Sequence, residues 1–355
     1  MRVLYAIQGT GNGHLSRARD IVPALQKYCE VDLLISGTQA EVQLPFEVKY
    51  RYKGMSFVFG KEGGVALWET VRITKPKRFR NEIASLPIQQ YDLVINDFEP
   101  VSAWAAFLKG VPCVSLSHQC AVLSEKAPKP KKGDKLGKFI LENYAPVQEH
   151  YGFHFDKYSE GIFTPVIRKE VRELEVTDQG HYTVYLPSYA DKKLLKHLSK
   201  FEEIRWEVFS KHCQEELKEG NITIKPISNK AFIESMASSK GVLCGAGFET
   251  PAEALYMKKK LLVIPMKNQY EQQCNAAALK NMGVPVIKSL KKKHYETIQS
   301  WLESAQLVEV NYPDNAEEAV KILLEDFQAH MLSDAYEFAE ELDYRKNLIP
   351  QVIGA

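Results

Sequence analysis

The amino-terminal stretch places short apolar runs on both sides of a glycine-rich turn, an order that few folds accommodate. Residues 3–7 form an apolar run that stops at the glycine-rich loop 8–14. Apolar residues then recur at three- and four-residue steps over 15–28, and a second apolar run occupies 31–36. Strand, glycine turn, helix and strand make a βαβ unit, so this stretch predicts a parallel sheet.

The same rhythm continues along the chain and restarts after a break near residue 165. Polar residues fill much of the stretch from there to Gly180. A chain of 355 residues is long enough for two domains with separate cores. We therefore predict an α/β fold of two successive Rossmann-like, doubly wound domains, followed by a helical tail over 317–342. The remaining predicted strands lie at 92–97, 114–118, 181–188, 204–209, 222–224, 241–244 and 261–264, with a helix at 101–108.

The charge and cysteine content exclude several classes of protein. The chain has 46 Lys and Arg against 45 Asp and Glu, a net charge of +1, which argues against nucleic-acid binding through bulk charge. No apolar run approaches the roughly 18 residues that a membrane-spanning helix needs. Six cysteines without a C-x-x-C pair, and no signal-like segment at the start, predict a cytoplasmic protein with free thiols.

The glycine-rich loop does not fit the common nucleotide-binding motifs. A dinucleotide fingerprint needs a third Gly or Ala where His14 stands, and an acid where the second strand ends in Ser36 and Gly37. No P-loop motif occurs either. Backbone amides at Gly11 and Gly13 can still approach an anion at a helix N-terminus, with His14 at the mouth of the sheet. A plain tight turn with an exposed histidine is the alternative.

A second glycine cluster, 245–247, ends a predicted strand in the second half of the chain. Thr250 is predicted as a helix N-cap, with Pro251 at the first helical position and Glu253 three residues after the cap, which is a capping box. The functional alternative is a diphosphate cradle formed by the glycine amides and the Thr250 hydroxyl. Both hold together only if the Glu253 carboxylate is free to reach a ribose.

The segment after the next strand is rich in amide side chains. Gln269, Glu271, Gln272 and Asn275 come as the chain enters a helix. Paired donors and acceptors of this kind suit the hydroxyl groups of a sugar. A polar helix N-terminus is the simpler explanation of the same residues.

Together these residues resemble the donor half of the GT-B glycosyltransferases. The shared pattern, G-x-x-[ST]-x-x-E-A, a strand ending in Pro, and [DE]-Q-x-x-N-A, is carried here by Gly247, Thr250, Glu253, Ala254, Pro265, Glu271, Gln272, Asn275 and Ala276. The loop before His14 is similar to the first loop of UDP-glucuronosyl-type enzymes and of the peptidoglycan N-acetylglucosaminyl transferase. The resemblance implies two domains facing each other across a cleft, with a C-terminal helix crossing back. It implies an acceptor-binding domain at 1–165, a nucleotide-sugar domain at 166–335, and a tail at 336–355 on the first domain.

The resemblance also implies a chemistry and a set of residues. His14 would be the general base for an acceptor hydroxyl and Asp97 would orient its ring, so one direct displacement would invert the anomeric centre. No Asp-x-Asp occurs, which favours a route without a metal ion, and no cofactor is expected. The donor would be a nucleotide-diphosphate sugar, with UDP the commonest form in these families. The implied donor-binding residues are Gly11, Gly13, Ser188, Gly245, Ala246, Gly247, Phe248, Thr250, Glu253, Gln269, Glu271, Gln272 and Asn275.

Two other functions and one surface feature stay open at this point. A nucleotide-sugar 2-epimerase would need further carboxylates near the sugar, and a non-catalytic binding subunit would not need the pair of His14 and Asp97. The stretch 126–138 carries six lysines. It is either a solvated loop or a docking site for an anionic or lipid-linked acceptor, or for an anionic membrane surface. His118 has no metal-ligand spacing and is interpreted as structural.

Overall fold

A computed structural model of the chain describes residues 1–37, 44–55, 75–131 and 133–333. The predicted tail at 336–355 lies outside the described residues, as does the end of the helical stretch predicted over 317–342.

The first half of the chain folds around a parallel sheet of seven strands, in the order β3-β2-β1-β4-β5-β6-β7. Each pair of neighbouring strands is parallel. The described elements are β1 (Arg2–Gln8), α1 (Asn12–Gln26), β2 (Glu30–Ser36), β3 (Tyr50–Tyr52), α2 (Pro76–Ser85), β4 (Leu93–Asp97), α3 (Pro100–Lys109), β5 (Cys113–Leu116), α4 (His118–Leu123), α5 (Lys135–Asn143), β6 (Glu149–Phe153) and β7 (Ile162–Phe163).

The second half builds its own sheet of six strands, in the order β10-β11-β9-β8-β12-β13, in which only β10 is antiparallel to its neighbour among the described strands. Its elements are α6 (Lys169–Arg172), β8 (His181–Tyr185), α7 (Asp191–Leu198), β9 (Arg205–Ser210), β10 (Leu217–Glu219), β11 (Ile222–Pro226), α8 (Asn229–Ser238), β12 (Gly241–Gly245), α9 (Glu249–Tyr256), β13 (Lys260–Ile264), α10 (Tyr270–Asn281), α11 (Tyr295–Glu303) and α12 (Ala316–Ser333).

The strand β1 shows why the sequence folds this way. Its side chains are apolar at every position from Val3 to Ile7, and all are fully buried. Alternate side chains enter two apolar clusters: Tyr5 packs in the cluster that contains α1, and Leu4 in the one that contains α3. A strand covered by helices on both faces needs a continuous apolar run, not an alternating one.

The register of the first sheet brings the predicted site residues to one edge. Ile7 of β1 pairs with Asp97 at the end of β4. The loop that follows β1 therefore begins beside Asp97, at the carboxyl edge where open α/β sheets bind ligands. The helix α1 begins at Asn12, three residues before the predicted start at residue 15, so His14 lies in its first turn.

The last described helix, α12, returns to the first half of the chain and packs against α1. Tyr151 of β6 donates a hydrogen bond to Asp326 on this helix at 2.9 Å. Tyr312, just before it, donates to the carbonyl of Phe155 at 3.0 Å. The chain therefore crosses back to the first half at α12, while the tail predicted at 336–355 stays a prediction.

The two-domain α/β fold predicted from the sequence is confirmed. The predicted strands lie within a few residues of the observed ones, with one notable correction. The strand predicted over 114–118 ends at Leu116, and His118 begins α4 with Ser117 as its N-cap. Sequence patterns gave no indication of the strands β3, β6, β7 and β10.

Candidate active site

His14 and Asp97 form a hydrogen-bonded pair at the carboxyl edge of the first sheet. Nδ1 of His14 lies 2.8 Å from Oδ1 of Asp97. The Asp97 side chain is fully buried, whereas 14% of the His14 side chain is exposed. A carboxylate at Nδ1 selects the ring form with its proton on that nitrogen. Nε2 is then left as the basic atom, and the amide of Gln119 lies 3.4 Å from it.

Arg17, one turn along α1 from His14, joins this pair to the other half of the molecule. Its Nη2 donates to both oxygens of Asp97 at 2.8 Å. Its Nη1 donates to Oε1 of Glu249, the first residue of α9, at 2.5 Å. Only 2% of the Arg17 side chain is exposed. A buried guanidinium with two carboxylate partners is a fixed part of the site, and sequence reasoning missed it.

The charges around Asp97 determine its ionisation. Burial by itself would raise the pKa of Asp97, but the charges of Arg17 and His14 and their hydrogen bonds outweigh burial and hold it below the usual value. The carboxylate thus stays ionised and can stabilise a positive charge on the ring of His14.

Glu249 is the second carboxylate that sequence reasoning missed. Its side chain is 21% exposed, and it faces the cavity between the two halves. Burial raises its pKa to about 7, because the charge of Arg17 offsets only part of the burial and Glu253 adds a repulsion. A Cβ at position 13 would lie 3.0 Å from the Glu249 side chain, so Gly13 allows the two halves to approach closely.

The start of α9 differs from the prediction. The helix begins at Glu249 with Phe248 as N-cap, and no side chain caps it. The predicted N-cap at Thr250 and the capping box with Glu253 are therefore wrong. Pro251 lies in the first turn, where backbone N–H groups make no hydrogen bond within the helix. Proline, which lacks an N–H, is therefore tolerated there as well as at the first helical position, and the helix can begin two residues before it.

The Glu253 carboxylate forms an ion pair with Arg168, which lies in the linker between the two sheets. Nε of Arg168 donates to one carboxylate oxygen at 2.5 Å and Nη2 to the other at 2.8 Å. Only 3% of the Glu253 side chain is exposed. The condition for the predicted ribose contact, a free carboxylate, does not hold in this structure.

Amide side chains at the start of α10 also serve the fold. The side-chain carbonyl of Gln269 caps the helix by accepting from the Gln272 amide at 2.8 Å. Oε1 of Gln272 accepts from the backbone amide of Met266 at 2.9 Å. Glu271 differs from these two, because its carboxylate faces the cavity and accepts from Gln119 at 3.1 Å.

His118 and Asn275 bridge the two halves. Nε2 of His118 lies 2.8 Å from Oδ1 of Asn275, whose own amide nitrogen donates to the carbonyl of Ala246 at 3.1 Å. The His118 ring stacks on Phe248 with centroids 3.8 Å apart and planes 6° apart. Nδ1 lies 2.8 Å from the carbonyl oxygen of Phe153. Burial lowers the pKa of His118, so its neutral ring acts as a cross-domain contact.

A cavity of about 1010 Å³ lies between the two halves. Six of the predicted site residues line it: Gly11, Gly13, His14, Phe248, Gln269 and Glu271. The others do not: Asp97, Ser188, Gly245, Ala246, Gly247, Thr250, Glu253, Gln272 and Asn275. The lining residues that sequence reasoning missed include Arg17, Phe98, His118, Gln119 and Glu249.

Phe98, directly after Asp97, has a left-handed backbone with φ of 57°. A phenylalanine in this region is strained, and such strain tends to occur at functional sites. Glu99 follows as the N-cap of α3 and accepts from the amides of Val101 and Ser102. This tight exit from β4 directs the Phe98 ring into the cavity.

Two other kinds of site are not found in the part of the chain that the structure describes. It contains no cluster of His, Cys, Asp or Glu arranged to hold a metal ion. Within the same ranges, no helix combines the length and the apolar character needed to cross a bilayer.

Two parallel-sheet domains that share one cavity, with a glycine loop on one side and a helix N-terminus on the other, define the GT-B class of fold. The family model described as glycosyl transferase family 1 matches residues 1–305. The chain belongs to this family, whose class of activity is glycosyl transfer.

Solved structures with the same fold share little sequence with the chain. MurG of Acinetobacter baumannii is 18% identical with a TM-score of 0.57, covering 91% of this chain and 99% of MurG. UGT89C1 of Arabidopsis thaliana complexed with UDP is 14% identical with a TM-score of 0.56, covering 92% and 94%. The glycosyltransferase SnogD of Streptomyces nogalater is 15% identical with a TM-score of 0.52, covering 98% and 99%. No curated protein sequence matches the chain.

Proposed function

We propose that this glycosyltransferase moves a sugar from a nucleotide-diphosphate sugar, UDP-linked, to an acceptor hydroxyl, with inversion and without a metal ion. The observation that carries the proposal is the pair of His14 and Asp97, which opens onto a cavity lined by both halves of the molecule. Structures of this fold bound to UDP and to thymidine diphosphate support a nucleotide-sugar donor.

The reaction is a single displacement at the anomeric carbon. Nε2 of His14 takes the proton of the acceptor hydroxyl while the acceptor oxygen bonds to the anomeric carbon. The bond from that carbon to the diphosphate oxygen breaks, and the nucleoside diphosphate leaves with the electron pair. Asp97 holds the ring and stabilises the imidazolium that forms, and Arg17 holds Asp97 in place.

The leaving diphosphate needs positive potential without a bound cation. The N-termini of α1 and α9 face the same cavity, through Gly11 and Gly13 on one side and Phe248 and Glu249 on the other. Helix N-termini attract anions through their free amides and their dipoles. In this proposal residues 1–165 bind the acceptor and residues 166–335 bind the donor.

A thermal-shift comparison of UDP-, GDP- and dTDP-sugars tests the donor. A ligand at about 100 times its Kd stabilises the folded state by about 2.7 kcal/mol, so the correct donor raises the melting temperature measurably. We expect UDP-sugars to give the largest shift. No shift with any nucleotide sugar would overturn the proposal.

The base is tested separately from the donor site. His14→Gln should lower the rate of transfer by about 10²–10⁴-fold, because a positioned base typically contributes that much. The donor-induced shift should remain. His212→Gln, on an exposed surface of the second half, serves as the control and should leave the rate unchanged. A His14→Gln variant that transfers sugar at the normal rate would remove His14 from the mechanism.

One observation favours a second candidate, an epimerase acting at the sugar C2. Three carboxylate residues, Asp134, Glu249 and Glu271, line the cavity, and that chemistry needs acid and base groups near the sugar. Incubation of the donor sugar alone separates the two functions. An epimerised nucleotide sugar identifies the epimerase, whereas product that forms only with an acceptor identifies the transferase.

We also propose a peripheral contact with an anionic membrane surface through the lysine stretch. Lys126, Lys131, Lys135 and Lys138 are exposed, and the last two lie on α5. Lys129 does not take part, because its ammonium donates to the backbone carbonyls of Val122, Ser124 and Ala127.

A further inference from the structure

Glu249 places a carboxylate at the helix end to which the proposed function assigns the donor diphosphate. It is the first residue of α9, and it lines the cavity between the two halves. Helix N-termini attract an anion through their free amides and their dipoles. An ionised Glu249 offsets that positive potential with its own charge and repels a second anion. The diphosphate of a nucleotide sugar and the charge of Glu249 therefore oppose each other at one end of α9.

The contacts of Glu249 keep its carboxyl group at this place. Oε1 accepts from Nη1 of Arg17 at 2.5 Å. The backbone of α1 closes one side, because a Cβ at position 13 would lie 3.0 Å from Cγ of Glu249. The carboxyl group therefore cannot leave the end of α9 without breaking its pair with Arg17.

The cations around Glu249 already have carboxylate partners. Arg17 binds Asp97 with Nη2. Arg168 binds both oxygens of Glu253. The titratable and charged groups that act on Glu249 come from α1, β4, β1, α9 and the linker, and they are Arg17, His14, Asp97, Tyr5, Glu253 and Arg168. An arriving diphosphate thus meets arginines whose charges are balanced, and removing the charge of Glu249 is the direct way to lessen the repulsion.

The remaining titratable residues of the cavity lie on other elements. They are His118, Asp134, Lys135, Tyr270 and Glu271. Lys135 is exposed to solvent on α5, so its charge is screened. The balance of charge at the end of α9 is therefore set mainly by Glu249 itself.

The carboxyl group of Glu249 can change its charge near neutral pH. Burial raises its pKa to about 7, and the charge of Arg17 offsets only part of that effect. A nearby anion raises the pKa of a carboxyl group further, because it disfavours the ionised form. At pH 7.5 the group is mainly ionised without donor and becomes mainly protonated beside a diphosphate.

We propose that Glu249 couples donor binding to the uptake of a proton. The proton comes from solvent when the diphosphate reaches the N-terminus of α9, and it returns to solvent when the nucleoside diphosphate leaves. In the protonated form Oε1 still accepts from Arg17, and the O–H on Oε2 donates to a phosphate oxygen. This inference rests on the proposed function and adds a proton-linked contact with the diphosphate.

The pair of His14 and Asp97 stays in place in both states. Arg17 holds Asp97 through Nη2 and Glu249 through Nη1, so a proton on Glu249 breaks neither contact. Proton uptake at Glu249 and proton transfer at His14 are therefore separate events, and variants of the two residues distinguish them.

Isothermal titration calorimetry of UDP-glucose with the full chain measures the proton directly. At pH 7.5 the binding enthalpies in HEPES and in Tris differ by the number of protons taken up, multiplied by the difference in buffer ionisation enthalpy. We expect an uptake of about 0.5 proton or more per donor. The phosphates of a nucleotide sugar do not titrate near this pH, so the protein binds the proton. Equal enthalpies in the two buffers would overturn the proposal, whether or not any variant folds.

Three variants assign the proton to a residue. Glu249→Gln should remove most of the uptake, because an amide does not titrate. Glu296→Gln is the matched control and should keep it, since Glu296 also lies in the first turn of a helix, α11, but is exposed and does not line the cavity. His14→Gln should keep most of it too. Uptake that survives in Glu249→Gln would overturn the assignment, and thermal melts check that each variant is folded.

The affinity for UDP-glucose should depend on pH in the same way. Between pH 7 and 8.5 the Kd of the wild-type chain should rise about fivefold or more, because the proton must be bound together with the donor. The Kd of Glu249→Gln should stay nearly constant. Parallel pH profiles for the two proteins would contradict the proposal.

Failure of this inference differs from failure of the proposed function. If GDP- or dTDP-glucose gives the larger thermal shift, that sugar replaces UDP-glucose in these titrations. A nucleotide sugar that binds without proton uptake removes only the role of Glu249. If no nucleotide sugar binds, the proposed function falls and this inference falls with it.

Discussion

Arg17 connects more of the site than any residue that the motifs indicated. It binds Asp97 through one nitrogen and Glu249 through another. A single side chain thus joins the pair of His14 and Asp97 to the opposite half of the cavity. A buried charge has lost its hydration, which costs free energy. Its carboxylate partners must therefore stay in place to offset that cost. The geometry of His14 thus depends on Arg17 through Asp97, which both residues contact.

Removing Arg17 tests this dependence. Arg17→Met should lower the free energy of unfolding by about 3–5 kcal/mol, because it leaves Asp97 buried without its guanidinium partner. Urea unfolding followed by circular dichroism measures the change. Arg80→Met, on the exposed side of α2, is the control and should change stability by less than about 0.5 kcal/mol. Similar losses in both variants would show that the buried contacts of Arg17 do not stabilise the folded state more than an exposed arginine does.

Glu249 should give the protein a pH dependence of its own. Its pKa is raised by burial to about 7 from the ordinary 4.5, so the folded state binds this proton more tightly than the unfolded state. Stability from this group is therefore full below about pH 4.5 and is lost as the pH rises through about 7. The loss is on the order of 1–3 kcal/mol.

Thermal melts from pH 4.5 to 8 measure this effect. The wild-type chain should lose stability relative to Glu249→Gln as the pH rises, because the amide of the variant carries no charge at any pH. Parallel melting curves for the two proteins would show that Glu249 does not titrate in this range.

At the scale of the element, α5 is an exposed helix that lines one side of the cavity containing His14. Asp134 caps it by accepting from the amide of Gly137 at 2.9 Å. None of its residues is fully buried, and Leu136 and Phe139 are more than half exposed beside Lys135 and Lys138. A helix with apolar and basic residues together at the surface is suited to lie on an anionic interface.

Flotation with vesicles that contain anionic lipid tests this helix. The wild-type chain should float at low salt and should float less as salt rises, because screening weakens the attraction. Lys135→Ala with Lys138→Ala should reduce flotation. The control is Lys192→Ala with Lys196→Ala, two exposed lysines on α7 in the other half. Identical flotation of both double variants would remove α5 from the contact.

At the scale of the whole molecule, the two halves are held together by polar and aromatic contacts that cross the cavity wall. Arg17 pairs with Glu249, Gln119 with Glu271, and His118 with Asn275. An apolar cluster that includes β1, α1, β12 and α12 runs behind them. The relative position of the halves therefore depends on a few specific side chains as well as on packing.

His118→Phe should loosen this arrangement. It keeps a ring for stacking on Phe248 but removes the contact between Nε2 and Oδ1 of Asn275, and leaving a buried polar group without its partner costs about 1–3 kcal/mol. We expect a lower melting temperature and a larger radius of gyration by small-angle X-ray scattering. His154→Phe is the control, because His154 is buried next to His118 and its hydrogen bond stays within the first half. Unchanged scattering from His118→Phe would show that this contact does not position the halves.

The amino-acid sequence by itself determined the fold class and the position of His14 at the edge of the first sheet. Apolar runs interrupted by glycine turns specify parallel strands and helices, because that pattern is a local consequence of burial on both faces of a sheet. His14 lies in the first turn of α1, after the loop that follows β1, and Asp97 ends β4. Their proximity follows from strand order, and the sequence predicted it correctly from a family resemblance.

Only the tertiary structure decided which other side chains reach the cavity. Glu253 and Asn275 belong to the motif that the sequence displays, yet their polar atoms are bound to Arg168 and His118, which lie far away in the chain. Arg17 and Glu249 had no signal beyond lying close to motif residues. Contacts between two separately folded halves depend on how those halves meet, and no local pattern of apolar and polar residues encodes that geometry.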